Sequence, residues 1–394
     1  MRSRTTPRIG LLLLMAGAGC GHSEPFLTGA PPGQDGPLLV GAPTRLTYGD
    51  GMDLVASISP DGATLLYAFQ PYKPPPPATL SRPDVDRCIG IMPVGGGSRR
   101  EICRADNAGL DSTDAFEQAS LGSDGALLYA AYASRIGAPA VNTGALRLGT
   151  VDAPYPGRVL LTTPNFVSGL SFDHFGAIRW ISATSFLVEV HDQQIFSNGG
   201  NDTRSDTFPL GVGILRGELN GGQATFSMVA GTDSASGFDL SVAKDSIYFT
   251  RLDDARLYVV AIAGGTRRAV FTEPANGATR RYLRDPVRIG NRVAVVGQDY
   301  QQRENLKFPP GQPPLGLGAG SVVKAIGPGD GIASSLLATN GSNSTQGSFA
   351  AFGALAASPD GCRLVVEHRI VKESSFTTDL YSYCLGTGGS CVCS

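Results

Sequence analysis

Short apolar runs of four to eight residues recur along the chain, each bounded by turns rich in Gly, Pro and Asp. Ser59-Pro60-Asp61-Gly62 leads into Thr64-Leu65-Leu66-Tyr67-Ala68. Ser123-Asp124-Gly125 leads into Ala126-Leu127-Leu128-Tyr129-Ala130, and Ser358-Pro359-Asp360-Gly361 leads into Cys362-Arg363-Leu364-Val365-Val366. A second phrase follows at a distance: Ile89-Gly90-Ile91-Met92, Val212-Gly213-Ile214-Leu215, Leu257-Tyr258-Val259-Val260 and Asp379-Leu380-Tyr381-Ser382-Tyr383. Runs of this length between such turns read as β-strands. No stretch carries a capped 3.6-residue period, so helix is expected to be minor. A repeated strand-turn-strand unit cannot bury its apolar faces alone and must stack on its neighbours.

The spacing divides the chain into six units of up to four strands, named A to D from the axis outward. Unit one spans residues 53–103, unit two 116–162, unit three opens at Phe166, unit four runs over 238–271, unit five opens at Tyr282, and unit six spans 349–385. Unit six lacks a fourth strand. Pro43-Thr44-Arg45-Leu46-Thr47 resembles the outer strand Arg158-Val159-Leu160-Leu161-Thr162, so it is expected to pair beside the last unit and close a ring. Closure removes the exposed edges of an open stack. The expected fold is therefore all-β: a six-bladed β-propeller of four-stranded antiparallel blades, with seven blades as the rival count.

Ser-Pro-Asp-Gly before an apolar strand, followed by Leu257-Tyr258-Val259-Val260 and Gly264-Gly265-Thr266, resembles the WD40-like (PD40) repeats of TolB-type six-bladed propellers. The resemblance implies protein–protein contacts. Each Asp-Gly pair reads as a structural turn, with Asp accepting backbone N–H bonds and Gly taking positive φ.

The first residues change the picture of address. Arg2, Arg4 and Arg8 precede a short apolar stretch ending near Ala18, too short to span a bilayer and typical of a cleaved export signal. Gly17-Ala18-Gly19-Cys20 resembles a bacterial lipobox, so residues 1–19 are expected to leave and Cys20 to carry the lipid. Residues 20–40 then read as a flexible tether, and 41–394 as a single propeller domain. The segment after Cys20 lacks an inner-membrane retention residue, so the outer membrane is preferred. Of 32 basic residues three lie in the leader, leaving 29 against 34 acidic ones, a net charge of −5. With no long basic run, nucleic-acid binding is not expected.

Six cysteines remain besides Cys20. An even count in an exported chain suggests disulfides. Cys88–Cys103 flank the Gly95-Gly96-Gly97 turn, and Cys362–Cys384 are symmetric about Glu373. Cys391–Cys393 remain to pair together, unless Cys391 competes for Cys384.

Catalytic chemistry is thin. The histidines are His22, His174, His191 and His368, with no metal-ligand or nucleophile-elbow spacing. No cofactor and no metal are expected. The longest insertions, residues 70–87, 191–210 and 298–320, all follow strand B, so all should rise from one face. They carry Tyr72, Lys73, His191, Asp202, Asp206, Arg303 and Phe308, the candidate binding face. The function expected is a monomeric, non-enzymatic module that binds an envelope protein or a glycan. The alternative is a cation-dependent lyase or hydrolase in the central channel, which would draw on Asp53, Glu117 and Asp239 at the A strands.

Overall fold

A computed structural model describes residues 26–28, 38–39, 42–48, 53–69, 88–103, 112–135, 143–154, 157–196, 206–251, 255–274, 279–301, 321–329, 331–339, 349–372, 375–386 and 391. Among these residues there is no helix. Strands follow the repeats, each pairing antiparallel with the next. Blade one is Asp53–Ile58, Thr64–Phe69, Cys88–Pro93 and Arg100–Ile102. Blade two is Ser112–Leu121, Ala126–Arg135, Thr143–Thr150 and Arg158–Thr163. Blade three is His174–Trp180, Ser185–Phe196, Asp206–Asn220 and Gln223–Met228. Blade four is Ala235–Leu240, Ser246–Arg251, Arg256–Ala261 and Arg268–Thr272. Blade five is Thr279–Ile289, Arg292–Gln301, Ser321–Ile326 and Ala333–Thr339, and blade six is Phe349–Ala357, Arg363–Lys372 and Ser375–Gly386. The molecule is a six-bladed β-propeller.

The apolar core is divided among the junctions between blades. Leu66 and Ile89 of blade one meet Leu127 and Tyr129 of blade two. Leu128 and Leu146 meet Ile178 and Val188. Leu187 and Ile214 meet Phe238 and Phe249. Leu257 and Val270 meet Leu283 and Val293, and Val296 and Val323 meet Phe352 and Leu364. The last junction joins Val365 and Leu380 of blade six to Val55, Leu65 and Tyr67 of blade one, so the ring is closed.

The seam forms where expected. Arg45 and Thr44 pair with Tyr381 and Ser382, and the Leu46 N–H donates to the Leu380 carbonyl at 2.7 Å. Thr47 Oγ1 accepts the Leu380 N–H at 2.9 Å. Leu46 itself is buried in the junction between blades six and one. Two pieces of the segment expected to be a free tether are paired instead. Leu38–Leu39 adds to the last strand of blade six, opposite Gly386 and Leu385. Phe26–Thr28 forms a fifth strand on blade five, opposite Leu337 to Thr339. The unsatisfied edges of both blades offer N–H and C=O groups that passing chain can use.

The turn phrases have the expected geometry. Ser59 Oγ donates to Asp61 Oδ1 at 2.5 Å, the same oxygen accepts the Ala63 N–H at 3.0 Å, and Gly62 has φ of 75°. Ser358, Asp360 and Gly361 repeat the pattern in blade six.

Two readings need correction. Blade three does not open at Phe166. Asn165–Val167 and Leu170–Phe172 form a separate hairpin, and the innermost strand is His174–Trp180. The disulfides also differ in part. Cys88 is joined to Cys103, but Cys362 is joined to Cys391, so neither Cys362–Cys384 nor Cys391–Cys393 forms. Register explains it. Arg363 lies opposite Cys384, so Cys362 faces Leu385, whose N–H donates to the Cys362 carbonyl. A one-residue offset sends two side chains to opposite faces of a sheet. Cys384 is itself disulfide-bonded.

Thr47→Val keeps the volume at the seam and removes the acceptor of the buried Leu380 N–H. We expect it to lower unfolding free energy by about 1–3 kcal/mol, measured by urea titration. Thr47→Ser, which keeps the hydroxyl, should retain most of the stability.

Candidate functional site

The central channel is lined by the innermost strands, and each of the six is broken by a bulge at a similar height. Register shifts fall between Val55 and Ser57, Phe116 and Gln118, Phe175 and Ile178, Ala235 and Phe238, Arg284 and Val287, and Phe352 and Leu355. A bulge leaves backbone N–H groups without ladder partners and re-aims them. Those groups need acceptors, and in two blades the second strand supplies a carboxylate.

In blade three the bulge is Phe175-Gly176-Ala177. Glu189 Oε2 accepts the Ala177 N–H at 3.1 Å, and Oε1 accepts the Gly237 N–H of blade four at 2.7 Å. His191 Nε2 lies 3.2 Å from Glu189 Oε1. Burial pushes the Glu189 carboxyl up, but the His191 charge and hydrogen bond, with the Gly237 and Ala177 N–H groups, outweigh it and hold its pKa below the usual value. Blade six repeats the device with Phe352-Gly353-Ala354. Glu367 Oε1 accepts the Val55 N–H of blade one at 2.7 Å, and Arg369 Nη2 donates to Oε2 at 2.7 Å. A Cβ on Gly176 would collide with Glu189 and His191, and one on Gly353 with Glu367 and Arg369. The glycines are what let the carboxylates reach the bulge.

Asp285 of blade five completes this level of the channel. It takes φ of 50°, immediately before Pro286, a region unfavourable for a non-glycine residue. Its nearest ion-pair partner is Arg284 Nε at 3.8 Å, and its side chain stays 32 % exposed. Burial pushes its carboxyl up, opposed by Arg284 and Arg369 and reinforced by Glu367 and Glu189.

At the end where the A strands turn into the B strands, the channel opens into a pocket of ≈ 170 Å³. Asp239 sits in it, with Oδ1 accepting from Arg179 Nε at 3.1 Å and Oδ2 from the Arg288 N–H at 2.7 Å.

The sequence candidates are scattered by this geometry. Of the proposed binding face, Tyr72, Lys73, Asp202, Arg303 and Phe308 lie outside the described residues, and Asp206 opens a strand whose first pair is Phe196↔Asp206. His191 is 8 % exposed and belongs to the channel latch of blade three. Asp53, Glu117 and Asp239 do not form one set. Asp53 is buried at the seam, where burial raises its pKa to about 6 against a hydrogen bond from Thr47. Glu117 lies in the bulge of blade two, and Asp239 lines the turn-side pocket. His368 stands in the blade opposite His191; it meets Tyr383 Oη at 2.7 Å and stacks on Tyr381 at 4.0 Å. The carboxylates that matter, Glu189, Asp285 and Glu367, were missed. The signal for the two glutamates was the recurring Phe-Gly-Ala, with Glu189 twelve residues after Ala177 and Glu367 thirteen after Ala354; Asp285 carried no such signal. Cys20 lies outside the described residues, and no described helix is long and apolar enough to cross a membrane.

No protein-family description and no curated protein matches the chain. Solved structures do. A protein of unknown function from Dyadobacter fermentans is 12 % identical, with TM-score 0.50, over 87 % of this chain and 97 % of that one. A gluconolactonase from Xanthomonas campestris is 12 % identical, with TM-score 0.44, over 91 % of this chain and 100 % of that one. TolB from Acinetobacter baumannii is 13 % identical, with TM-score 0.42, over 82 % of this chain and 64 % of that one. At such identities the likeness is one of fold.

Two outcomes follow from the latches and the buried ring. Gly353→Ala should displace Glu367 from the Val55 N–H and cost about 1–3 kcal/mol, whereas Gly329→Ala, with open space around it, should be nearly neutral in the same thermal-melting series. His368 is held neutral, its pKa lowered from 6.5 to about 3 by burial and then by the Arg45 charge. The folded state therefore binds fewer protons than the unfolded one between these values, and stability present above pH 6.5 is lost as pH falls toward 3. Asp53 works in the opposite sense, since its folded pKa is raised. We expect the stability gap between wild type and His368→Gln to narrow steadily from pH 7 to pH 4; a gap independent of pH would contradict the buried neutral imidazole.

Proposed function

We propose that this propeller is a non-enzymatic binding module of the cell envelope, anchored by lipid on Cys20, which takes a protein or glycan partner on the face where strands B turn into strands C. The observation that carries this reading is where the excursions between strands B and C leave the ring. In blades one, three and five the B strands end at Phe69, Phe196 and Gln301, and the C strands resume at Cys88, Asp206 and Ser321. All three insertions therefore leave the same rim. In blade three the two strands stay paired out to Phe196↔Asp206, five residues past His191. At about 3.3 Å per residue this arm extends roughly 17 Å. Loops of such length on a rigid scaffold usually serve recognition. Glu189 and Glu367 are meanwhile committed to backbone N–H groups, which supports a structural task for them.

Asp285 favours a second reading, a reaction in the channel. Its carboxyl is pushed up by burial, sits on strained backbone and keeps solvent access, the features of a general acid or base.

Affinity purification of the full chain from its own envelope, beside chains shortened at residues 70–87 and 298–320, separates the two. The binding reading expects a partner retained by wild type and by Asp285→Asn, and lost from the shortened chains. Retention by the shortened chains would overturn the choice of face. A turnover lost in Asp285→Asn but kept in the shortened chains would install the channel reading.

A further inference from the structure

The turn-side mouth of the channel is a second site, on the face opposite the long insertions. Every blade contributes to its lining, with Ser57, Ser120, Arg179, Asp239, Arg288 and Ala356 each from a different one. Three cations line it, Arg179, Lys244 and Arg288, against one carboxylate, Asp239. The net charge of the lining is thus +2 when these groups are ionised. Apolar side chains, Leu121, Trp180, Leu240 and Val242 among them, share the rest of the wall with Ser57, Ser120 and Ser241.

The cations are held in place but not used up. Arg179 donates Nε to Asp239 and Nη1 to the Ile178 carbonyl at 2.9 Å, and only 16 % of its side chain is exposed. A guanidinium has five N–H donors, and Nη2 of Arg179 makes no hydrogen bond among the described residues. Arg288 donates Nη2 to the Pro359 carbonyl at 2.9 Å and its backbone N–H to Asp239. Lys244 donates to the Ile181 carbonyl at 3.1 Å, leaving two of its three donors, and φ of 54° at Lys244 turns the chain at the lip. Asp239 is satisfied on both oxygens, so its charge is largely spent on Arg179 and the Arg288 N–H. The floor is fixed by hydrogen bonds before any ligand arrives, which lowers the ordering cost of binding.

We propose that this mouth binds a compact organic anion, one carboxylate on an apolar body about the size of a six-membered ring. The carboxylate would meet Arg179 Nη2 and Lys244, and the body would lie against Trp180 and Leu240. The volume sets the size, since a cavity of about 150 Å³ accommodates benzene. The charge sets the sign, and the apolar wall separates this chemistry from that of a bare inorganic anion.

Calorimetric titration of the full chain with benzoate, benzamide and inorganic phosphate tests it. Benzoate should bind, with benzamide and phosphate each weaker by about tenfold or more. Arg179→Gln should weaken benzoate by about tenfold and Lys244→Asn by about threefold. Asn tolerates the left-handed turn, so Lys244→Asn keeps the question answerable should Arg179→Gln fail to fold. No heat with benzoate at about 10 mM, equal affinity for benzamide, phosphate binding as tightly as benzoate, or a folded Lys244→Asn indistinguishable from wild type would each overturn the proposal. Loss of the envelope partner in the loop-shortened chains leaves benzoate binding unchanged, since the two sites stand on opposite faces.

Discussion

A blade of four short strands has two apolar faces and nothing of its own to cover them, so each face must find the next blade. The core of this protein is accordingly a circle of interfaces, and removing any one would expose the sides of two blades. The junction between blades six and one is the costly one, because chain from both ends of the domain must meet there. Leu46 supplies apolar surface, Thr47 accepts the Leu380 N–H, and Arg45 pairs with Asp379 at 2.6 Å. Tyr381 of the same strand stacks on His368, which burial and the Arg45 charge keep neutral.

Closing the ring creates a second demand. Strands that converge on an axis are bulged, and the bulges strand backbone donors beside a narrow lumen. Blades three and six answer with a buried glutamate reaching across a glycine to the neighbouring blade. An ionised carboxylate is costly to bury unless its oxygens are occupied, and here backbone N–H groups and a His or Arg partner occupy them. These two residues therefore tie adjacent blades at their innermost point, and catalysis would need other groups. Asp285 stands at the same level without such commitments, which makes it the exception to explain.

The strands were legible because alternation and turn chemistry are local. Asp61 and Gly62 announce their turn whatever the rest of the fold does, and the missing strand of blade six pointed to residues 43–47. The functional residues were less legible for a physical reason. Glu189 and Glu367 look like ordinary strand residues until a bulge in the next blade places an N–H against them, and that proximity depends on three dimensions. Cys362 shows the limit from another side. Symmetry about a turn placed it opposite Cys384, but a register off by one residue moved it across the sheet to Cys391. The pocket at the turn side was hidden because its lining is drawn from all six blades, in groups of two to five residues.

The strand Phe26–Thr28 clips the entering chain to the outer rim of blade five. A lipid on Cys20 would then have only residues 21–25 between it and that rim, a leash of roughly 20 Å at full stretch. So short a leash would keep the disc from tumbling freely above the bilayer. Blade five would ride nearest the lipid headgroups, leaving blade two, across the axis, as the part of the molecule that looks furthest away from the membrane.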